Sequence, residues 1–122
     1  MNNILLAEDE EILRMLITDI FEDEDYVIDE AEDGQEALHL SESNKYDLII
    51  LDYMMPCYTG AEVAEAIKKD GQNKDAAILM LSAKSQQSEK EGALKSGVDY
   101  FMEKPFSPVE LLKKVREILG ND

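Results

Sequence analysis

The sequence predicts a doubly wound α/β fold, a five-stranded parallel sheet with five helices. Three observations lead there. Short apolar runs of β type recur along the chain and alternate with segments of helical spacing. The third and fourth runs, LIIL and AAILML, are continuously apolar, as strands buried on both faces should be. No low-complexity stretch, repeat or composition break divides the 122 residues, so the alternation belongs to one domain, 1–122. Alternation of this kind implies right-handed βαβ crossovers and helices on both sides of the sheet.

The elements follow in order. Ile4–Ala7 is the first strand, and Ile12, Leu13, Leu16, Ile17 and Ile20 fit one face of the first helix. Tyr26–Ala31 is the second strand, and Asp33-Gly34 turns the chain into a helix that carries His39 on its surface. Leu48–Leu51 precedes a helix with Val63, Ala64 and Ile67 inward, which ends near the turn pair Asp70-Gly71. Ala77–Leu81 leads to a fourth helix, Gln86–Ser96, whose apolar anchors are few beyond Ala93 and Leu94. Tyr100–Met102 is the last strand. The final helix is the clearest, with Leu111, Leu112, Val115, Ile118 and Leu119 on one stripe. Ser107 stands at its N-cap, Pro108 at N1, Glu110 at N3 and Gly120 at C′.

Charge narrows the function classes. The formal net charge is −16, and residues 1–36 hold 14 of the 28 acids against a single base, Arg14. Such a field repels nucleic acid and anionic membranes, and attracts cations and basic protein surfaces. Most of these acids, among them Glu22 to Asp25, Asp29 and Glu30, read as solvated surface, and Asp47 and Asp99 as turn residues. No stretch approaches the roughly 20 apolar residues of a membrane helix, and the N-terminus lacks the pattern of a signal peptide. The single cysteine, Cys57, cannot form an internal disulfide, so a cytoplasmic setting is expected. No neighbouring base activates Cys57, which reads as a loop thiol.

In open α/β sheets ligands bind beyond the carboxyl ends of the strands. There the sequence places Glu8-Asp9-Glu10-Glu11 after the first run, Asp52 after the third, Ser82 after the fourth and Lys104-Pro105 around the end of the fifth. Clustered carboxylates repel one another unless a cation or protons neutralise them. With His39 and Cys57 the only nitrogen and sulfur candidates, zinc is a poor fit, whereas Mg²⁺ favours a few carboxylates, waters and phosphate oxygens. Lys104 can neutralise phosphoryl charge and Ser82 can donate to a phosphoryl oxygen, which are the parts that phosphoryl transfer needs. A carboxylate can itself be the nucleophile, and Asp52, at the end of the central strand, is placed to be it. Asp9 also has the residue type of an N-cap for the first helix.

These segments resemble a family. ILLAEDEEILR, LIILDYMMPCYTG, ILMLSAKS and GVDYFMEKPF are similar, in order and spacing, to the four signature regions of bacterial response-regulator (CheY-like) receiver domains, and the likeness covers essentially the whole chain. The resemblance implies a flavodoxin-like strand order of 2-1-3-4-5. It implies Asp52 as phosphoacceptor and Asp9 as the main Mg²⁺ carboxylate, with Glu8 reaching the metal through water and the Met54 backbone carbonyl completing the set. Glu8 stands where an Asp is more frequent. By the same likeness Ser82 and Phe101 form the conformational switch, the Lys104–Pro105 peptide is cis, and Met54 and Lys84 flank the water that attacks the aspartyl-phosphate.

The implied function is phosphoacceptor signalling in a two-component system or phosphorelay. A sensor histidine kinase or phosphotransfer protein would donate, and the surface of the fourth helix, fifth strand and fifth helix would control a downstream protein or fused output domain. Neither nucleic acid nor membrane is a direct partner in this reading. The chain would not be an enzyme beyond assisting its own phosphorylation and slow dephosphorylation. Two other classes share parts of the pattern. A haloacid-dehalogenase-like phosphatase has the same residue types, but its nucleophile comes on the first strand and its acid pair late, with a cap domain this chain lacks. A flavodoxin needs a phosphate-cradling Ser/Thr/Gly loop where this sequence has four consecutive acids. A degenerate receiver that binds partners without phosphorylation is a third alternative, which the presence of Asp9, Asp52, Ser82 and Lys104 argues against.

Overall fold

A computed structural model describes residues 2–69, 71–83, 91 and 95–120. Five strands, β1 (Asn2–Ala7), β2 (Tyr26–Ala31), β3 (Leu48–Asp52), β4 (Ala77–Ala83) and β5 (Tyr100–Lys104), form one sheet of order β2-β1-β3-β4-β5. Every neighbouring pair is parallel. Four helices are seen among the described residues: α1 (Glu11–Phe21), α2 (Gly34–Ser43), α3 (Gly60–Lys69) and α4 (Pro108–Leu119). The additional helix expected over 86–96 falls largely outside them.

Strand alternation sorts the core into two layers. Leu5, Ala7, Ile49, Leu51, Ile78 and Met80 pack with Ala37 of α2 and with Val63, Ala64 and Ile67 of α3. Ile4, Leu6, Leu48, Ile50, Leu79 and Leu81 pack with Ile17 and Phe21 of α1 and with Leu111 and Val115 of α4. Leu48 to Leu51 are fully buried, which explains their unbroken apolar run, and each contributes about 1.5–3 kcal/mol relative to exposure. α4 is capped as its sequence requires: the Ser107 side chain accepts from the Glu110 N–H, and Gly120 adopts the left-handed conformation (φ 74°).

α1 departs from expectation. Its buried stripe is Arg14, Ile17 and Phe21, with Leu13 and Ile20 partly buried beside it, whereas Ile12 is 76% and Leu16 48% exposed. Apolar residues cover most of this helix, so helical spacing alone did not single out the stripe that meets the sheet. Two of the acids expected at the surface are half-buried and bonded: Glu24 takes a two-pronged pair from Arg116 (2.7 and 3.0 Å), which holds its carboxyl below the usual range, and Asp29 accepts from the Tyr46 hydroxyl (2.8 Å). Glu30 is exposed, as expected, and accepts from Arg14 (3.2 Å). Asp47 and Asp99 are strand staples: Asp47 accepts the Asn3 N–H (2.8 Å), and Asp99 accepts the Ile78 N–H (2.9 Å) while pairing with Lys68 (3.0 Å).

Tyr26 packs edge-on against Phe21, with ring centroids 5.7 Å apart, and its buried hydroxyl finds no hydrogen-bond partner among the described residues. A buried unsatisfied hydroxyl costs about 1–3 kcal/mol. Tyr26→Phe is therefore expected to raise stability by about 1 kcal/mol in urea unfolding; a loss of that size would show that the hydroxyl is bonded in solution.

Candidate functional site

Three strands run further at their carboxyl ends than their apolar patterns suggested, and polar residues are among those added. Asp52 is the last residue of β3, Ser82 and Ala83 close β4, and Glu103 and Lys104 close β5. Because side chains alternate, Asp52 continues the face of Leu48 and Ile50, and Lys104 that of Met102, above the α1/α4 layer. Ser82 and Phe101 take the opposite face, in line with Met80.

Glu8, just beyond β1, is fully buried, and Asp52 nearly so. The Lys104 ammonium reaches both, at 3.0 Å from Glu8 Oε1 and 3.1 Å from Asp52 Oδ1. Asp9 lies on the exposed rim, and oxygens of Glu8, Asp9 and Asp52 fall within 4.8 Å of one another. The N-cap of α1 is Glu10 rather than Asp9, its own side chain makes no cap bond, and its N–H donates to Glu8 Oε2 (3.3 Å), so the Asp9 carboxylate is not used as a helix cap.

The electrostatics follow from this packing. Burial, and then the adjacent Glu8 carboxylate, push the Asp52 pKa up to about 8, against the opposing pull of Lys104. Burial works against the Lys104 ammonium, but Glu8 and Asp52 outweigh it and hold the Lys104 pKa above the ordinary lysine value. One ammonium against three carboxylates leaves an excess of negative charge that a divalent cation would balance. The donors are all oxygen and one side of the cluster is open to solvent, which suits Mg²⁺ with retained waters.

The loop after Asp52 is pinned from several sides. The Tyr53 N–H donates to Leu81 O (2.8 Å) and the Gly60 N–H to Tyr53 O (2.7 Å). Thr59 and Glu62 exchange hydrogen bonds in a capping box that starts α3. A Cβ at Gly60 would stand 2.5 Å from the Asp52 carbonyl oxygen and 2.8 Å from the Met80 sulfur, so only glycine lets α3 begin this close to the end of β3.

This chain matches the response regulator receiver domain family over residues 4–116. The chain belongs to that family. The receiver is 40% identical over 116 residues to the transcriptional regulatory protein ResD of Bacillus subtilis (95% of this chain, 47% of ResD). It spans about half the length of the curated relatives it matches. Among solved structures it resembles the response regulator protein TrrA of Thermotoga maritima in complex with Mg²⁺-BeF (39% identity, TM-score 0.84, 97% of this chain and 99% of that one). It also resembles the receiver domain of the sensor histidine kinase PA1611 of Pseudomonas aeruginosa, which has a magnesium ion coordinated in its active site cleft (26% identity, TM-score 0.89, 98% of both chains).

The remaining expected residues are placed as follows. The Lys104–Pro105 peptide is cis. Met54 is 61% exposed beside the site, Phe101 is partly buried against the α2/α3 layer, and Lys84 lies outside the described residues. His39 is exposed in the middle of α2, apart from the carboxylate cluster. Cys57 is exposed with φ 74°, its sulfur 4.0 Å from Gln35 Oε1. No described helix is long and apolar enough to cross a membrane. One buried contributor was missed: Arg14, whose Nη1 donates to the backbone oxygen of Glu8 at 2.7 Å. Its only signal in the sequence was its isolation, the single base among the acids of residues 1–36.

Proposed function

We propose that this receiver takes a phosphoryl group onto Asp52 from a phosphohistidine of a sensor kinase or phosphotransfer protein. The observation that carries the reading is the contact of one ammonium, Lys104, with the two buried carboxylates of Glu8 and Asp52. An Asp52 carboxylate oxygen attacks phosphorus, the P–N bond breaks, and the imidazole nitrogen leaves. Lys104 stays beside the acceptor and neutralises charge on the transferred group. Glu8, Asp9, Asp52 and the Met54 carbonyl would hold Mg²⁺, Glu8 through water, and the ion supplies positive charge to the phosphoryl oxygens. Ser82 donates to the new phosphoryl group, and its movement with Phe101 biases a two-state equilibrium read by a downstream target or output domain.

A protein donor suits the surroundings. Ile12, Met15 and Leu16 are exposed on α1 within seven residues of Asp9, an apolar strip beside the acceptor that a partner could cover. In this reading the chain is a single cytoplasmic signalling domain rather than an enzyme with turnover.

The deciding experiment is intact mass after incubation with acetyl phosphate and MgCl₂, beside Asp52→Asn and an EDTA control. One phosphoryl group per chain, lost in both controls, is the expected result. An adduct that persists in Asp52→Asn would move the acceptor elsewhere. Met54, apolar and exposed at the rim, offers no group to orient an attacking water. Once phosphorylated, wild type is expected to lose its phosphate several-fold more slowly than Met54→Asn, measured by mass against time; equal decay would remove Met54 from that role.

A further inference from the structure

We propose that Arg14 is a positioning residue of the site, holding the turn that presents Glu8 and Asp9 to the metal; this rests on reading the carboxylate cluster as the Mg²⁺ site. Arg14 projects from the first turns of α1 and its side chain is only 11% exposed. It donates through Nη1 to the Glu8 carbonyl oxygen at 2.7 Å and through Nε to Glu30 Oε1 at 3.2 Å, and Nη2 stands 3.6 Å from Glu32. Glu30 is the penultimate residue of β2 and Glu32 follows the strand directly, so the guanidinium ties α1, the end of β1 and the end of β2 together. A planar fork with several fixed donors can do this; a single ammonium cannot reach all three at once.

The bond to Glu8 matters because of where that carbonyl sits. It belongs to the peptide that joins Glu8 to Asp9, so its orientation sets the direction in which Asp9 leaves the turn. The other side of Glu8 is already fixed, its N–H donating to Ala31 O at 3.1 Å. Beyond the turn, the Glu10 N–H donates to Glu8 Oε2 at a longer 3.3 Å, and the Glu10 side chain itself caps nothing. Arg14 thus completes the restraint on the two acids through the backbone oxygen of Glu8. A group that orients ligands from behind typically governs metal affinity by 10–100-fold.

The sign of the effect separates positioning from charge. Arg14 is a cation near a cation site, so by Coulomb repulsion alone its removal would tighten Mg²⁺ binding. Loss of positioning weakens it. A purely structural residue would lower the melting temperature and leave the affinity of the folded chain unchanged.

The test is calorimetric titration of MgCl₂ into wild type, Arg14→Met and Arg14→Lys, with amide NMR spectra to establish that each is folded. The expected result is binding weakened about tenfold or more in Arg14→Met, with Arg14→Lys between it and wild type. Unchanged or tighter binding by folded Arg14→Met overturns the proposal. If Arg14→Met does not fold, Arg14→Lys decides: weaker binding supports the assignment and wild-type affinity overturns it. Absence of Mg²⁺ binding in wild type removes the metal reading itself, and Arg14's role with it.

Discussion

Without Mg²⁺, the receiver is expected to lose stability as the pH is raised from about 4 to about 8, the reverse of the usual behaviour of a paired carboxylate. The Asp52 pKa is raised to about 8 in the folded chain, because the carboxyl is buried beside Glu8. In the unfolded chain it titrates near 4. Between those values the folded protein carries a proton that the unfolded protein has released, so each increase in pH favours unfolding. The contribution is fully present below about pH 4 and gone above about pH 8. Asp52→Asn places a neutral amide where the wild type must bury a charge. In EDTA at about pH 8.5 the variant should melt roughly 5 °C or more above wild type, a shift worth a few kcal/mol. Adding Mg²⁺ should stabilise wild type strongly and the variant little, because only a ligand that prefers the folded state raises stability. Parallel pH profiles for the two proteins in EDTA would show that Asp52 is not the strained group.

Replacing Lys104 should affect chemistry and metal binding in opposite directions. Lys104→Met removes the cation that faces both Glu8 and Asp52. Loss of one preorganised donor to transferring charge typically costs 10²–10³ in rate, so phosphorylation by acetyl phosphate is expected to slow by about 100-fold. The carboxylates left behind should bind Mg²⁺ more tightly, since a competing positive charge has gone. Intact-mass time courses and MgCl₂ titration of the same variant measure the two effects. Unimpaired phosphorylation would remove Lys104 from the transfer step. Arg14→Met should weaken the metal instead, because Arg14 bonds the backbone and the acids of β2 rather than the carboxylates of the cluster.

Much of the fold and its site was legible because both rest on strand period and strand ends. LIIL announced a strand buried on two faces, and the polar residue that closes each apolar run proved to be the one the sheet carries to its edge. The strand order came from resemblance, and the sheet has it. What escaped detection depends on partners distant in sequence. Asp47 and Asp99 looked like turn acids because their acceptor roles involve Asn3 and Ile78, 44 and 21 residues away. The buried side of α1 escaped because apolar residues surround that helix while its inner stripe includes an arginine. The bond from Lys104 to Glu8, the most buried of the three acids, also went unread, because its two residues lie at opposite ends of the sequence. Nothing local shows that Lys104 at the end of β5 reaches across the ends of β4 and β3 to Glu8 rather than to Glu10 or Glu11.

The bond between Lys104 and Glu8 joins residues 96 positions apart. While the chain is being synthesised, Glu8, Asp9 and Asp52 can all emerge from the ribosome before the ammonium that pairs with two of them exists. The contacts of Lys104 with Glu8 and Asp52 can therefore form only once β5 has been made and has paired with β4. A copy that ends before β5 presents the three acids without the ammonium that joins two of them. The complete cluster is in this way a mark of a complete chain.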